Sequence, residues 1–498
     1  MDRQSNLIVS KIGIIGAGVS GLAVAKQLSN YNPVVFEASD SIGGVWKSCS
    51  YNSTKLQSPR GDYEFTDFPW PNRDDPSFPS YIEILDYLKS YAEHFDLMKY
   101  VMFSSKVVEV RFVGGREPAD FRATGEYGSL LPGLPVWEVA VQSKQSDIIQ
   151  WYAFEFLVVC IGKYGDIPKI PEFPHKKGPE VFEGKVMHSI DYCKLDKEAA
   201  TQLHKGRTTP MDIIIIIIII IIIIIIIIII IIIALKGNRA PWLFGHYIGL
   251  CPITGCGIFS VHTRKSKPKS PQGYALLAAV SNGELILTHS LHFQKYGLKP
   301  DHPFIEDYAS CQMAIMPDNF FSEADKGKIV FKRASNWWFN KEGLEFEDKT
   351  KVEADVVIFA TGFDGKRKLK DILPDPFCSL LEDAHSGGDC SSIDTKHGFW
   401  DHREFANLHT SELRSIWLAR LLDNKFKLPT IDRMLEQVSK EIEVAKRTTR
   451  FYKRHCISTF SINHSDEICE EMGWSSWRKN NVLAEAFSPY GSRDYELK

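Results

Sequence analysis

The stretch Lys11-Ile12-Gly13-Ile14-Ile15-Gly16-Ala17-Gly18-Val19-Ser20-Gly21 leaves this chain few alternatives. Its apolar run Ile12 to Ile15 has the character of a strand buried on both faces, and the glycines that follow are spaced G-x-G-x-x-G ahead of Leu22, Ala25 and Leu28, which share a helical face. A strand that turns so abruptly into a helix belongs to an α/β fold with a parallel sheet. Gly16 permits the tight turn, Gly18 lets backbone N–H groups approach a pyrophosphate, and Gly21 lets helix and strand pack closely. Ala17, Val19 and Ser20 complete the loop, whose amides and helix N-terminus face the anion. By themselves three glycines make only a tight turn. Glu37 adds the second half of the pattern, because it closes the apolar run Pro33 to Phe36 at about the expected 20 residues downstream. A carboxylate there accepts hydrogen bonds from a ribose hydroxyl, which favours an adenine dinucleotide over phosphate alone.

At 498 residues the chain has room for two or three domains. A net charge of -3 argues against a general nucleic-acid binder. The ten cysteines contain no C-x-x-C and are scattered through a chain too long to need disulfide staples, so a reducing, cytoplasmic setting is expected. Ile12 to Ala25 has the small apolar residues of a signal peptide, but its glycine spacing and the strand that follows favour folded structure.

Several further segments follow in order. Gly43-Gly44-Val45-Trp46 pairs two glycines, which let backbone pass close to a ligand, with an indole that can lie against it; an ordinary loop with a buried tryptophan is the plainer alternative. Phe65, Phe68 and Trp70 are dense enough to wall a pocket. Ser80 and Glu83 form a capping box that opens a helix with Ile84, Leu85, Leu88 and Ala92 turned inward. Two more buried strands, Glu155 to Gly162 and Asp355 to Gly362, each run from an acidic residue to a glycine at the carboxyl end, where parallel sheets bind ligands. They suggest one nucleotide-binding domain interrupted by another, the chain leaving after the first strand and returning before the second. Two unrelated core strands would look the same.

Between them, Phe182, Gly184, His188 and Tyr192 form the pattern F-x-G-x-x-x-H-x-x-x-Y. This closely resembles the fingerprint of the flavin-containing monooxygenases and their N-hydroxylating relatives. With the early glycine turn, G-G-x-W and Ala360-Thr361-Gly362-Phe363, four elements stand in that family's order. The similarity runs from about Lys11 to Lys205, from about Lys295 to Phe377 and from Asn407 to Leu497. The stretch Arg450 to Tyr490 looks most like the plant branch that N-hydroxylates pipecolate.

The resemblance implies a Rossmann-like flavoprotein with two dinucleotide-binding domains, its FAD domain (1–175 and 331–498) split by an inserted NADPH domain (176–330). It implies FAD held by Gly16 to Gly21, Glu37, Gly44, Val45, Trp46, Leu56, Gln57, Thr361 and Gly362. It also implies NADPH as reductant, a flavin C4a-hydroperoxide formed with molecular oxygen, and oxygenation of a small nitrogen- or sulfur-containing substrate. Because the cofactor carries the difficult chemistry, the protein needs little acid–base machinery. The amide that steadies the hydroperoxide in the family falls within T-N-x-P. Here the match is Leu56-Gln57-Ser58-Pro59, so Gln57 takes the catalytic position with its amide one methylene farther out.

Past Lys205 the family pattern stops. Where a second glycine turn for NADPH belongs, the chain reads Ile213 to Ile233 without interruption, and no backbone there can approach a pyrophosphate. The run exceeds the roughly 20 residues of a membrane span, and its insertion would be favoured by on the order of 10 kcal/mol. Unless it re-entered, such a span would place the two halves of a soluble two-domain enzyme on opposite sides of a bilayer, which counts against it; membrane association is left open. A single strand fails on length, since strands run about 3–10 residues. The favoured reading is a low-complexity insertion, from a repeat or a faulty gene model, that displaced coding sequence up to about residue 292. Cys251 and Cys256, the basic run Arg264 to Lys269, and the polar stretch with His385, Cys390, His397 and His402 match nothing in the family, and no metal site is expected of them. Two amphipathic helices, through Leu413, Ile416, Trp417 and Leu421 and through Ile431, Met434, Leu435, Val438 and Ile442, are expected to close the core. Taken together these features indicate an N-hydroxylating monooxygenase with a damaged NADPH half. The rivals are a non-catalytic FAD-binding protein, a membrane-anchored flavoprotein and an enzyme of another flavin class.

Overall fold

The computed structural model describes residues 7–56, 58–114, 131–144, 148–162, 164–196, 198–200, 213–217, 295–298, 319–373, 393–394, 398–399, 408–428, 461–481 and 492–495, with scattered positions in 436–447. In chain order the elements used below are β1 (Ile8–Ile15), α1 (Val19–Gln27), β2 (Val34–Phe36), α2 (Val45–Ser48), α3 (Tyr81–His94), β3 (Val101–Met102), β4 (Ser105–Phe112), β5 (Trp137–Ser143) and β6 (Ile149–Val159). They continue with β7 (Lys185–His188), α4 (Ser189–Cys193), β8 (Ile213–Ile217), α5 (Phe320–Asp325), β9 (Trp337–Phe339), β10 (Gly343–Phe346), β11 (Lys351–Glu353), β12 (Val356–Ala360), α6 (Gly365–Lys370), α7 (Leu408–Leu422) and α8 (Ser461–Glu471).

The first sheet has the order β3-β2-β1-β6-β5-β4. β1 lies between two parallel neighbours, with Gly13 opposite Val34 on β2 and Ile15 opposite Val159 on β6. That position explains the unbroken apolar run: Ile12 and Ile14 are fully buried, and Ile15 nearly so. α1 covers the sheet with Leu22, Ala23, Ala25 and Leu28 buried, and α7 packs along α1. α3 opens with the Ser80–Glu83 capping box expected from sequence and buries Ile84, Leu88 and Ala92, while Leu85 is half-buried. Phe65 and Trp70 lie in the core. They stack on Tyr91 and Tyr87 of α3 at centroid distances of 3.9 and 4.3 Å, and so fill the core.

The second sheet, β7-β12-β8, is parallel throughout. Its membership corrects the expected chain path. β12, read as the strand on which the chain has already returned to the first domain, pairs with β7 from Val356↔Lys185 to Phe359↔His188 and with β8 from Val356↔Ile213 to Ala360↔Ile217. β12 therefore lies in the second sheet and not the first. β6 and β12 look alike in sequence because each is a buried strand ending in a glycine at a ligand-binding sheet edge, and only their pairing tells them apart. β8 is a second correction. A strand seemed excluded by the length of the isoleucine run, yet its first residues, Ile213–Ile217, form a strand of ordinary length. Ile218 to Ile233 lie outside the described residues, and among those described no helix is long and apolar enough to cross a membrane.

Beside this sheet β9, β10 and β11 form a small antiparallel sheet, whose Phe339, Leu344 and Phe346 pack with Phe182 and Phe359. α7 is a helix where the first C-terminal one was expected, with Leu413, Ile416, Trp417 and Leu421 buried, but it is not amphipathic: His409, Thr410, Ser411, Glu412 and Ser415 are buried as well. The apolar residues of the second, Ile431 to Ile442, lie outside the described residues, as do Cys251, Cys256, the run Arg264 to Lys269, and His385, Cys390, His397 and His402.

Candidate functional site

The glycine turn sits where β1 meets α1. Gly16 takes φ +102°, and a Cβ on it would come 2.5 Å from the Cys160 carbonyl oxygen. A Cβ on Gly21 would lie 1.9 Å from the Gly16 carbonyl oxygen. Both glycines are thus required by the packing of strand, turn and helix. Gly18 differs: its Cβ would meet only the Gly44 backbone, at an ordinary 3.6 Å. The packing of strand and helix therefore does not by itself require a bare backbone at Gly18.

A second loop closes on the turn. The Gly43 N–H donates to the Ala17 carbonyl at 3.2 Å, and Gly44, at φ +54°, lies with its backbone against Gly18. Val45 begins α2 and is exposed, while the Trp46 indole N–H donates to the Tyr63 hydroxyl at 2.7 Å. Glu37 reaches the same place. Its carboxylate accepts the Ala17 N–H at 2.7 Å, the Ser39 N–H at 2.9 Å and the Ser39 hydroxyl at 2.7 Å, so it braces the loop. Val19 is buried in the first turn of α1. The Ser20 hydroxyl lies 3.3 Å from that of Ser411, in the first turn of α7.

Leu56 is buried in the core, with its N–H bonded to the Pro79 carbonyl at 2.8 Å, and Gln57 lies outside the described residues. Thr361 and Gly362 follow β12. The Thr361 hydroxyl donates to the Lys169 carbonyl, and Gly362, at φ +83°, accepts the Lys169 N–H at 2.9 Å.

The family fingerprint proves to be a packing device. A Cβ on Gly184 would lie 2.5 Å from the Asp355 carbonyl oxygen, Phe182 fills the second core, and the His188 Nδ1 accepts the Ile190 N–H at 3.2 Å to cap α4. The His188 ring meets Phe363 edge to face at 5.2 Å. Burial holds its pKa below the usual histidine value, against the opposing pull of the Gly362 backbone and Asp191. A buried imidazole that caps a helix serves structure.

Sequence reasoning missed the contribution of α7 and the half-buried acid Asp62. Ser411 and Glu412 lie 391 and 386 residues from Ser20 and Lys26, the α1 residues they meet, so no local pattern could have linked them. Asp62 precedes Tyr63, the partner of Trp46, and its Oδ2 is buried without a hydrogen-bond partner. Desolvation pushes its pKa up to about 7, with Arg73 opposing and Glu64 adding to the rise. The folded state keeps this proton to higher pH than the unfolded chain does. The resulting stability is complete below about pH 4 and is lost as pH rises through 7. Asp62→Asn is therefore expected to raise stability at pH 8 by on the order of 2 kcal/mol and to leave it unchanged near pH 3.5. Urea melts at the two pH values test this, and an equal effect at both would contradict the assignment.

No group of three or more acidic, histidine or cysteine side chains poised to hold a metal occurs among the described residues. The site is a glycine-lined turn with a carboxylate braced on its backbone. Known proteins agree. The flavin-binding monooxygenase-like family model matches residues 9–202. The chain is 53% identical to the probable flavin-containing monooxygenase 1 of Arabidopsis thaliana, over 99% of this chain and 98% of that one. Among solved structures, an open form of cyclohexanone monooxygenase superposes with a TM-score of 0.56 at 15% identity, covering 93% of this chain and 98% of that one. OTEMO in complex with FAD and NADP gives a TM-score of 0.55 at 16% identity, over 98% of this chain and 96% of that one. By fold, by the order of its motifs and by its near full-length identity to a plant relative, this chain belongs to the flavin-containing monooxygenase family.

Proposed function

We propose that the chain is an FAD- and NADPH-dependent monooxygenase that N-hydroxylates a small amine or amino acid, pipecolate being the example its C-terminal stretch suggests. The observation that carries this reading is the convergence of the Gly43–Gly44 loop and the Glu37 carboxylate on a turn in which strand–helix packing demands Gly16 and Gly21 but not Gly18. Gly16 to Gly21 would hold the FAD diphosphate, and Glu37, already braced on Ala17 and Ser39, would meet the ribose. Gly44, Val45 and Trp46 would close over the cofactor, and Gln57 would supply an amide beside the flavin. Bound FAD supplies the oxygen chemistry; the protein's part is to hold it, exclude water and present a soft nitrogen or sulfur atom to it.

In this reading 1–175 and the C-terminal part form the FAD unit. The inserted unit, 176–330, extends through Ala360 because β12 completes its sheet. A cytoplasmic setting suits the cysteine usage.

A second reading has one observation in its favour. β8 leads into Ile218 to Ile233, which contains no glycine, so the chain lacks there the residues that admit the diphosphate of NADPH. The alternative is an FAD-binding protein that takes no hydride. Anaerobic addition of NADPH to the purified, FAD-loaded protein separates the two. Bleaching of the flavin band, with hydroxylated amine formed once air is admitted, is expected; a flavin that stays oxidised at saturating NADPH would leave only the second reading.

A further inference from the structure

Two segments connect the first sheet with the second: residues 160–169, after β6, and 361–364, after β12. They run side by side. The Lys169 N–H donates to the Gly362 carbonyl and the Asp364 N–H to the Ile167 carbonyl, both at 2.9 Å, and Pro168 pairs with Phe363. Four of their residues take left-handed backbone: Gly162, Gly165 and Asp166 in the first crossing, and Gly362 in the second. Three are glycines. Asp166, at φ +62°, is the one that holds this conformation with a side chain.

Lys368, on α6 just past the second crossing, reaches back to the first. Its ammonium donates to the Ile161 carbonyl at 2.7 Å and lies 2.6 Å from the Asp166 carboxylate, with the lysine side chain only 18% exposed. An ammonium is a compact charge with three donors, so it can hold a carbonyl and a carboxylate at once. α6 is itself tied to the first sheet. Leu369 and Leu373 are buried among Val107, Val110 and Phe36, and the Val110 N–H donates to the Ile372 carbonyl at 2.8 Å.

We propose that Lys368, with Asp166, is a positioning residue that clamps the two crossings together and so sets the angle between the two sheets. On the reading given under Proposed function, that angle decides where the nicotinamide of NADPH lies over the flavin. Hydride transfer needs its reacting atoms about 3–3.5 Å apart, so a small tilt between the units slows it.

The test uses the full-length, FAD-loaded protein with Lys368→Met, Asp166→Asn and Lys368→Arg. Asparagine accepts left-handed backbone as readily as aspartate, so Asp166→Asn removes charge without adding strain. Hydrogen exchange at the amides of Lys169 and Asp364 is expected to rise about tenfold in Lys368→Met and Asp166→Asn, the loss of one charge-assisted bond, with the β1 amides unchanged. Flavin reduction by NADPH is expected to slow about tenfold in the same two variants. FAD content and the KM for NADPH should stay at parent values, and Lys368→Arg should resemble the parent.

Unchanged exchange at the crossings overturns the clamp, and so does a rise shared by β1, which would mean general loosening. Faster exchange with a reduction rate within about twofold of the parent overturns the positioning role. If Lys368→Met does not fold, Asp166→Asn carries the same test from an exposed side chain. A parent flavin that NADPH fails to reduce would sink the cofactor reading, while the exchange measurement would still decide the clamp.

Discussion

Gly18→Val is expected to yield a folded protein that emerges colourless, whereas Gly21→Val is expected to yield no folded protein at all. The two glycines lie in one turn, and sequence assigns them to one motif. Gly18 has φ -77° and ψ -167°, extended backbone that any residue adopts, and a Cβ there meets the Gly44 backbone at 3.6 Å. The folded chain can therefore carry a Cβ at this position. What that side chain removes is the approach of backbone N–H groups to the diphosphate. Hydrogen bonds to a charged group are worth roughly 1.5–3 kcal/mol each, so losing two weakens FAD binding by about a thousandfold. At Gly21 a Cβ would lie 1.9 Å from the Gly16 carbonyl oxygen, well inside contact distance of backbone that has no rotamer to change. The helix would have to leave the sheet. Circular dichroism and flavin absorbance on the two purified variants check this. Bound flavin in Gly18→Val would remove the turn from the site, and a stable Gly21→Val would refute the packing argument.

Glu412→Ala is expected to cost about 3 kcal/mol of stability, read as a lowered urea midpoint. Glu412 is 1% exposed on α7 and accepts the Thr66 N–H and the Thr66 hydroxyl at 2.7 Å each, and the Lys26 ammonium at 3.2 Å. Lys26 belongs to α1, pairs also with Asp67 and lies 4.5 Å over the Phe95 ring. One carboxylate thus joins α7, α1 and the 63–70 segment, and alanine would leave a buried N–H unpaired. Burial, with Asp67 adding, pushes the Glu412 pKa up despite Lys26 and Thr66. The folded state therefore prefers the protonated acid, and stability from this group is present below the ordinary carboxylate range and declines as pH rises through the raised value. Glu412→Gln keeps an acceptor for Thr66. It should cost less than alanine and flatten the pH dependence. A Glu412→Ala midpoint equal to the parent's would show that the network contributes nothing.

Much of the first unit was legible from sequence because its determinants are local. The glycine turn, the α1 face, the Ser80–Glu83 box and the acid at Glu37 each declare themselves within a few residues, and the structure brings the turn, Glu37 and Gly43 to Trp46 together. Long-range pairing was not legible. Nothing within 355–362 says that β12 joins β7 and β8 and not the sheet of β6, since buried parallel strands share one composition wherever they lie. The isoleucine run misled for a related reason: its total length argued against a strand, but a strand needs only a part of it. Ser20 meets Ser411, and Lys26 meets Glu412, across almost the whole chain, which only the packing of α7 on α1 could reveal. Aromatic density at Phe65 to Trp70 signalled a wall, and the core, needing the same residues, took them.

The most direct measurement is a titration of the purified full-length chain with FAD, followed by flavin fluorescence after removal of unbound cofactor. The account predicts one FAD retained per chain, and its loss in Gly18→Val at unchanged helix content. A folded parent that retains no flavin at any FAD concentration would contradict it.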